Sequence, residues 1–104
     1  MSKFIQVQWT AAHLDEAREI TSTLLEKKWI ACASIIPLIE SWFMWKGELQ
    51  QASEVKVLMK TIDILYPKIE KLIVAAHSYE VPEIIVFEVI EGYDKYLAWI
   101  ESVT

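Results

Sequence analysis

The sequence predicts an α+β sandwich with the order β-α-β-β-α-β-α, the last α being a C-terminal helix. Three observations carry this. Two segments alternate apolar and polar residues with the period of a strand, and two others repeat at helical spacing. No Pro/Gly/Ser-rich tract, charge block or repeat divides the chain, so residues 1–104 read as a single domain.

Phe4–Trp9 is the first strand, with Ile5, Val7 and Trp9 on one face and Phe4, Gln6 and Gln8 on the other. Leu14–Lys28 follows as a helix whose stripe is Leu14, Ala17, Thr21, Leu24 and Leu25. Asp15 and Glu16 in its first turn and Lys27 and Lys28 in its last complement the helix dipole. Ala31–Trp45 is rich in Ile, Trp and Phe and reads as extended. Pro37 has no amide hydrogen to give a ladder, so it marks an edge, a kink or a bulge there. Lys46-Gly47 makes the turn of a hairpin into a third strand, Gln51–Thr61. There Val55, Val57 and Met59 oppose Glu54, Lys56 and Lys60, and Leu58 on the polar side predicts that this face is not simply solvated.

Asp63 is placed to cap a second helix, with Pro67 in the first turn, where its missing amide hydrogen costs nothing. Leu65, Ile69, Leu72, Ile73 and Ala76 form the apolar face of that helix. Val81–Val89 is nearly continuous in apolar residues, as in a central strand covered on both sides. Tyr93–Val103 is a short terminal helix. Two βαβ-like halves with their helices on one face make a ferredoxin-like sandwich.

The composition adds a constraint on assembly. Apolar residues make up 54% of the chain, with five Trp among them. A domain of this size buries roughly two-thirds of its unfolded surface. So many large side chains therefore predict apolar surface patches or contacts between subunits. Trp42-Phe-Met-Trp45 alternates faces on the hairpin and cannot bury both in one small domain, which favours an intersubunit surface over a ligand-stacking platform.

Composition also excludes function classes. Two glycines are too few for a dinucleotide fingerprint, and no Gly-Lys-Ser/Thr forms a P-loop. Cys32 is the sole cysteine, which rules out an intrachain disulfide or a zinc ribbon and suits a reducing cytosol. The net charge of −5 argues against a nucleic-acid partner. The longest stretches without Asp, Glu, Lys or Arg, Phe4–Leu14 and Trp29–Ile39, are too short for a helix to span a bilayer. No charged-then-apolar leader precedes a small-residue cleavage site, so no membrane or secretory role is expected.

The segment richest in chemistry is His77-Ser-Tyr-Glu-Val-Pro-Glu83, between the second helix and the last strand. Imidazole and carboxylate together suit a divalent ion such as copper, zinc or nickel. The same residues also allow a plainer reading, with His77 capping the helix C-terminus and Tyr79 packing. Cys32, between alanines at the start of an apolar strand, reads as a small core residue, and His13 as a surface residue. No Ser-His-Asp or Cys-His arrangement is specified, so no enzymatic activity is expected.

Five segments together resemble the CutA divalent-cation tolerance family. They are Ala31-Cys-Ala-Ser-Ile-Ile-Pro37, Trp42-Phe-Met-Trp-Lys-Gly47, Glu54 through Lys60-Thr61, the 77–83 signature and Tyr96-Leu-Ala-Trp99. The resemblance implies a cytosolic homotrimer whose long hairpin strands pair across subunits, with a role in tolerance of copper and other divalent ions. It places Trp42, Phe43, Trp45 and Trp99 at the trimer interface, and it lines an intersubunit cleft with Trp45, Glu54, Lys60, His77, Tyr79 and Glu83. His77 and Glu83 are the implied metal donors. Two positions depart from the pattern of the family's copper-binding members: Trp9 stands where some carry a strand-end cysteine, and Ala76 replaces the first residue of a His-His doublet. The trimer of this family is also similar to the nitrogen-regulatory PII signalling proteins. That likeness implies an alternative role as a small-molecule sensor or signalling adaptor using the cleft, and a trimer that scaffolds a partner is a further possibility.

Overall fold

The computed structural model describes residues 3–104. Its elements are β1 (Phe4–Ala11), α1 (Leu14–Glu26), β2 (Cys32–Trp45), β3 (Glu48–Ile62), a 3-10 turn (Asp63–Leu65), α2 (Tyr66–Ala76), β4 (Ile84–Glu88) and α3 (Asp94–Ser102). The strands form one antiparallel sheet in the order β2-β3-β1-β4.

Strand alternation sorts the side chains between two faces. Ile5, Val7, Trp9 and Ala11 of β1 are buried, and their register partners on β3 are Thr61, Met59, Val57 and Val55. Helices α1 and α2 cover this face through Ala17, Ile20, Leu24, Ile69 and Ile73, closing the main core. The second face carries Gln6, Gln8, Lys56, Leu58 and Lys60, with Cys32, Ser34 and Ile36 beside them on β2. On β4, Ile85 and Phe87 lie beside Gln8 and Gln6. Helix α3 sits at one end of this second face, where the Tyr96 hydroxyl is 3.3 Å from Cys32 Sγ. Leu58 is half-buried, so the face is not simply solvated, as its side chain had implied.

The β2–β3 hairpin projects beyond the helices and stretches the molecule to 45 × 26 × 23 Å. Lys46 and Gly47 both take positive φ, 51° and 80°, the backbone of a two-residue hairpin turn whose twist matches its strands. Pro37 lies on edge strand β2 at a shift in register between Ile36 and Ile39, so both the edge and the bulge are realised.

Several elements differ from the sequence reading. Helix α1 ends at Glu26; Lys27 is its C-cap and Lys28 turns left-handed at φ 60°, so no base stands in the last turn. Ile20 joins the buried stripe, while Leu25 is exposed. Asp63 opens the 3-10 turn, and α2 starts after Leu65 without a side-chain cap, with Pro67 in its first turn. β3 begins earlier than expected, at Glu48, because the tight turn lets pairing run to the hairpin's end. The largest correction concerns Val81–Val89. It yields a five-residue strand at the sheet edge, not a central one, since β1 occupies the place between β3 and β4. Ile85, Val86 and Phe87 are more than a third exposed there.

Candidate functional site

The site forms where the 77–83 loop crosses the end of β1 and the middle of β3 below the hairpin. His77 is the C-cap of α2, and its amide bonds Ile73 O at 2.8 Å. Its backbone turns extended, at φ −74° and ψ 143°, which brings the imidazole over β1. Nε2 lies 2.5 Å from the carbonyl of Thr10, and Nδ1 accepts the Tyr79 amide hydrogen at 3.0 Å. These partners define the neutral tautomer: Nδ1 is the acceptor, so Nε2 holds the proton. The edge of Trp9, with ring centroids 6.1 Å apart, and the ring of Tyr79, at 4.8 Å, fix the imidazole plane. Trp9 itself is fully buried, and β1 continues past it to Ala11. The strand-end cysteine position is thus occupied here by a core side chain that supports His77.

Tyr79 and Glu54 form the second pair. Burial raises the Tyr79 hydroxyl pKa to about 12, and its hydrogen bond to the Glu54 carboxylate adds to the rise. The phenol stays protonated at neutral pH and donates. Glu54 is only 8% exposed, although it lies on the second face of the sheet. Glu83 accepts from Gln8 Nε2 at 3.3 Å and stands 3.8 Å from Lys56 Nζ.

A further residue, Glu16, holds the loop from the side. Its two carboxylate oxygens accept the amide hydrogens of Ala12 at 2.9 Å and Ser78 at 2.8 Å. Burial alone would push this carboxyl up, but the hydrogen bonds it accepts from Ala12 and Ser78 outweigh it and hold the carboxyl below its usual value. His13 is the N-cap of α1, and its Nδ1 accepts the Glu16 amide hydrogen at 3.3 Å. Sequence reasoning saw Glu16 only as a helix-dipole charge. The three-residue spacing from His13 is that of a capping box, and this was the available signal.

Between the hairpin and the loop lies a cavity of about 430 Å³ whose wall includes Thr10, Trp42, Trp45, Glu54, Tyr79 and Glu83. A neighbouring depression of about 490 Å³ shares Phe43, Trp45, Tyr79 and Val81 with it. The fold therefore brings together Trp45, Glu54, Tyr79 and Glu83, with His77 behind Tyr79. Lys60 is not in this group: it pairs with Gln6 and Cys32, roughly 20 Å along β3 from Glu54. Trp42, Phe43, Trp45 and Trp99 are between 40% and 59% exposed, so the single chain leaves their apolar surface uncovered.

The donor set of one chain does not fit a resident divalent ion. Among the described residues no group of three or more His, Cys, Asp or Glu side chains could hold one. Both His77 nitrogens are already committed to the backbone. No helix among the described residues is long and apolar enough to cross a membrane.

A family model described as CutA1 divalent ion tolerance protein matches residues 5–103. The divalent-cation tolerance protein CutA of Archaeoglobus fulgidus is 37% identical over 102 residues, covering 98% of this chain and 97% of that protein. Protein CutA of Mus musculus is 39% identical over 88 residues, covering 85% of this chain; the chain spans about half the length (50%) of that relative. The crystal structure of CutA1 from the psychrotrophic bacterium Shewanella sp. SIB1 superposes with a TM-score of 0.96 at 34% identity, covering 99% of this chain and 96% of that one.

Proposed function

The chain belongs to the CutA1 divalent ion tolerance family, and from that premise we propose that it serves tolerance of divalent metal ions, copper among them, as a cytoplasmic homotrimer without catalytic chemistry of its own. The strand order β2-β3-β1-β4 with both long helices on one face supports reading the fold as ferredoxin-like. Exposed Trp42, Phe43, Trp45 and Trp99 support the assembly, in which the hairpins reach across to neighbouring subunits.

The observation that carries the functional reading is the aromatic and acidic cavity beside the His77–Tyr79–Glu54 chain of contacts. We take it as the working site of a sensor or signalling adaptor: a cleft that binds a small ligand, with His77 positioning the loop. The metal role then lies in the response and not in a tightly held ion, because His77 has no free lone pair to offer.

Copper titration by calorimetry on wild type and His77→Ala, with light scattering on both, tests this reading. We expect weak heats that differ little between the two proteins, and a wild-type mass three times the 12.1 kDa of the chain. Tight copper binding lost in His77→Ala would replace the sensor with a metal-binding protein. A monomer would overturn the assembly.

A further inference from the structure

Resting on the reading of this cleft as a ligand site, we infer that its ligand is a primary organic ammonium ion carrying an apolar body. The walls point to a cation. Trp42, Phe43, Trp45 and Tyr79 line the cavity, and the faces of such rings attract positive charge. Trp45 already accepts one, since Lys46 Nζ lies 5.8 Å from its ring centroid.

The acidic groups point the same way. Glu54 is 8% exposed and takes its hydrogen bond from neutral Tyr79, and no ion pair to it occurs among the described residues. A carboxylate has about four acceptor positions, so most of its capacity remains. A largely buried charge without a cation is unfavourable until one arrives. Neither the cavity nor the adjoining depression has a Lys or Arg in its wall, and Glu80 adds negative charge at the margin, while the charge of Glu83 is offset by Lys56 at 3.8 Å. An anionic ligand therefore finds no cation in the wall that one chain supplies.

A bare metal ion is a poor match, because hard divalent ions need six to eight oxygen ligands and an aromatic wall supplies none. A cavity of about 430 Å³ also leaves room for an apolar body beside the charge. We take the ammonium as primary because its three N–H donors suit a wall whose oxygen-bearing side chains include Glu54, Thr10 and Ser41.

Three probes of one shape and different charge decide the matter on the full chain: 2-phenylethylammonium, 2-phenylethanol and phenylacetate. Calorimetry gives affinity, and the indole signal of Trp45 in two-dimensional NMR gives place. The ammonium is expected to shift that signal saturably and to bind at least about tenfold tighter than the alcohol, ~1.4 kcal/mol. Phenylacetate is expected to leave it unmoved. Glu54→Gln, and independently Trp45→Leu, are each expected to weaken the ammonium about tenfold. Circular dichroism and light scattering check that the variants keep the fold and the mass of wild type. Equal binding of the alcohol, binding of phenylacetate, or indifference to both substitutions would overturn the ammonium while leaving the cleft a ligand site. Silence from all three probes up to millimolar concentration would overturn both.

Discussion

Removing the Glu16 carboxylate should loosen the candidate site without touching any residue that lines its cavity. The carboxylate joins the β1–α1 turn to the 77–83 loop through two amide donors, Ala12 at 2.9 Å and Ser78 at 2.8 Å. Hydrogen bonds to a charged group contribute about 1.5–3 kcal/mol each when water cannot replace them. Glu16 is half-buried, so water recovers part of both. The expected loss for Glu16→Ala is then about 2–3 kcal/mol, and for Glu16→Gln, which keeps one acceptor oxygen, about 1 kcal/mol.

The loss has a defined pH dependence. The folded carboxyl titrates below its ordinary value, so the unfolded chain binds more protons in the acid range and stability rises with pH there. The contribution is complete above the ordinary carboxylate pKa of about 4.3 and is lost as pH falls through the lower folded value. Urea unfolding at one fixed protein concentration measures the difference, since the proposed assembly would make stability concentration-dependent. Amide exchange at Ser78 and Ala12 reports the local opening. A Glu16→Ala variant within about 0.5 kcal/mol of wild type at pH 7, the range of an ordinary surface substitution, would refute the account. So would a gap between wild type and Glu16→Gln that stays constant from neutral pH down to the acid transition.

Two further outcomes follow from the same region. Glu54→Gln should bring the Tyr79 ionisation, read by ultraviolet titration, down from about 12 toward the ordinary tyrosine range, with burial keeping it above that range; an unchanged value would mean the carboxylate is not its partner. In wild type this pair stabilises the fold fully below pH ~10 and loses that contribution as pH climbs through the folded value. Trp9→Ala should cost about 3–5 kcal/mol as a core truncation. It should also shift the His77 ring protons in NMR, because the indole edge that fixes the imidazole is gone; a loss under about 1 kcal/mol, small for any core truncation, would show that the ring is not load-sharing with the core.

The strands were legible where one of their faces meets the helices. Ile5, Val7 and Trp9 alternate because their partners Thr61, Met59 and Val57 alternate across the ladder, and a period of two survives in the residue string. The hairpin was legible from Lys46-Gly47, because few backbones but a left-handed pair close so short a turn. Helix ends were less so. Asp63 has the chemistry of a cap but begins a 3-10 turn, and Lys27 and Lys28 lie past the end of α1. Charge preference near a terminus spans a full turn and cannot fix the last residue.

The site was legible as a segment but not as an arrangement. His77, Tyr79 and Glu83 are close in sequence, so their loop could be chosen from composition. Their partners Thr10, Glu54 and Gln8 come from two strands, and a register must be known before those contacts exist. Glu16 escaped for the same reason, since its acceptor role depends on Ser78, 62 residues further along the chain. The misplaced strand has a different cause. Ile85, Val86 and Phe87 read as a doubly covered strand because apolar composition reports that a surface is to be buried, without saying by what. The chain leaves between 37% and 47% of these side chains exposed, and it leaves Trp42, Phe43 and Trp45 between 40% and 59% exposed. The excess of apolar residues and the wrong position assigned to β4 are therefore one fact: these side chains carry more apolar surface than a single copy of the fold buries.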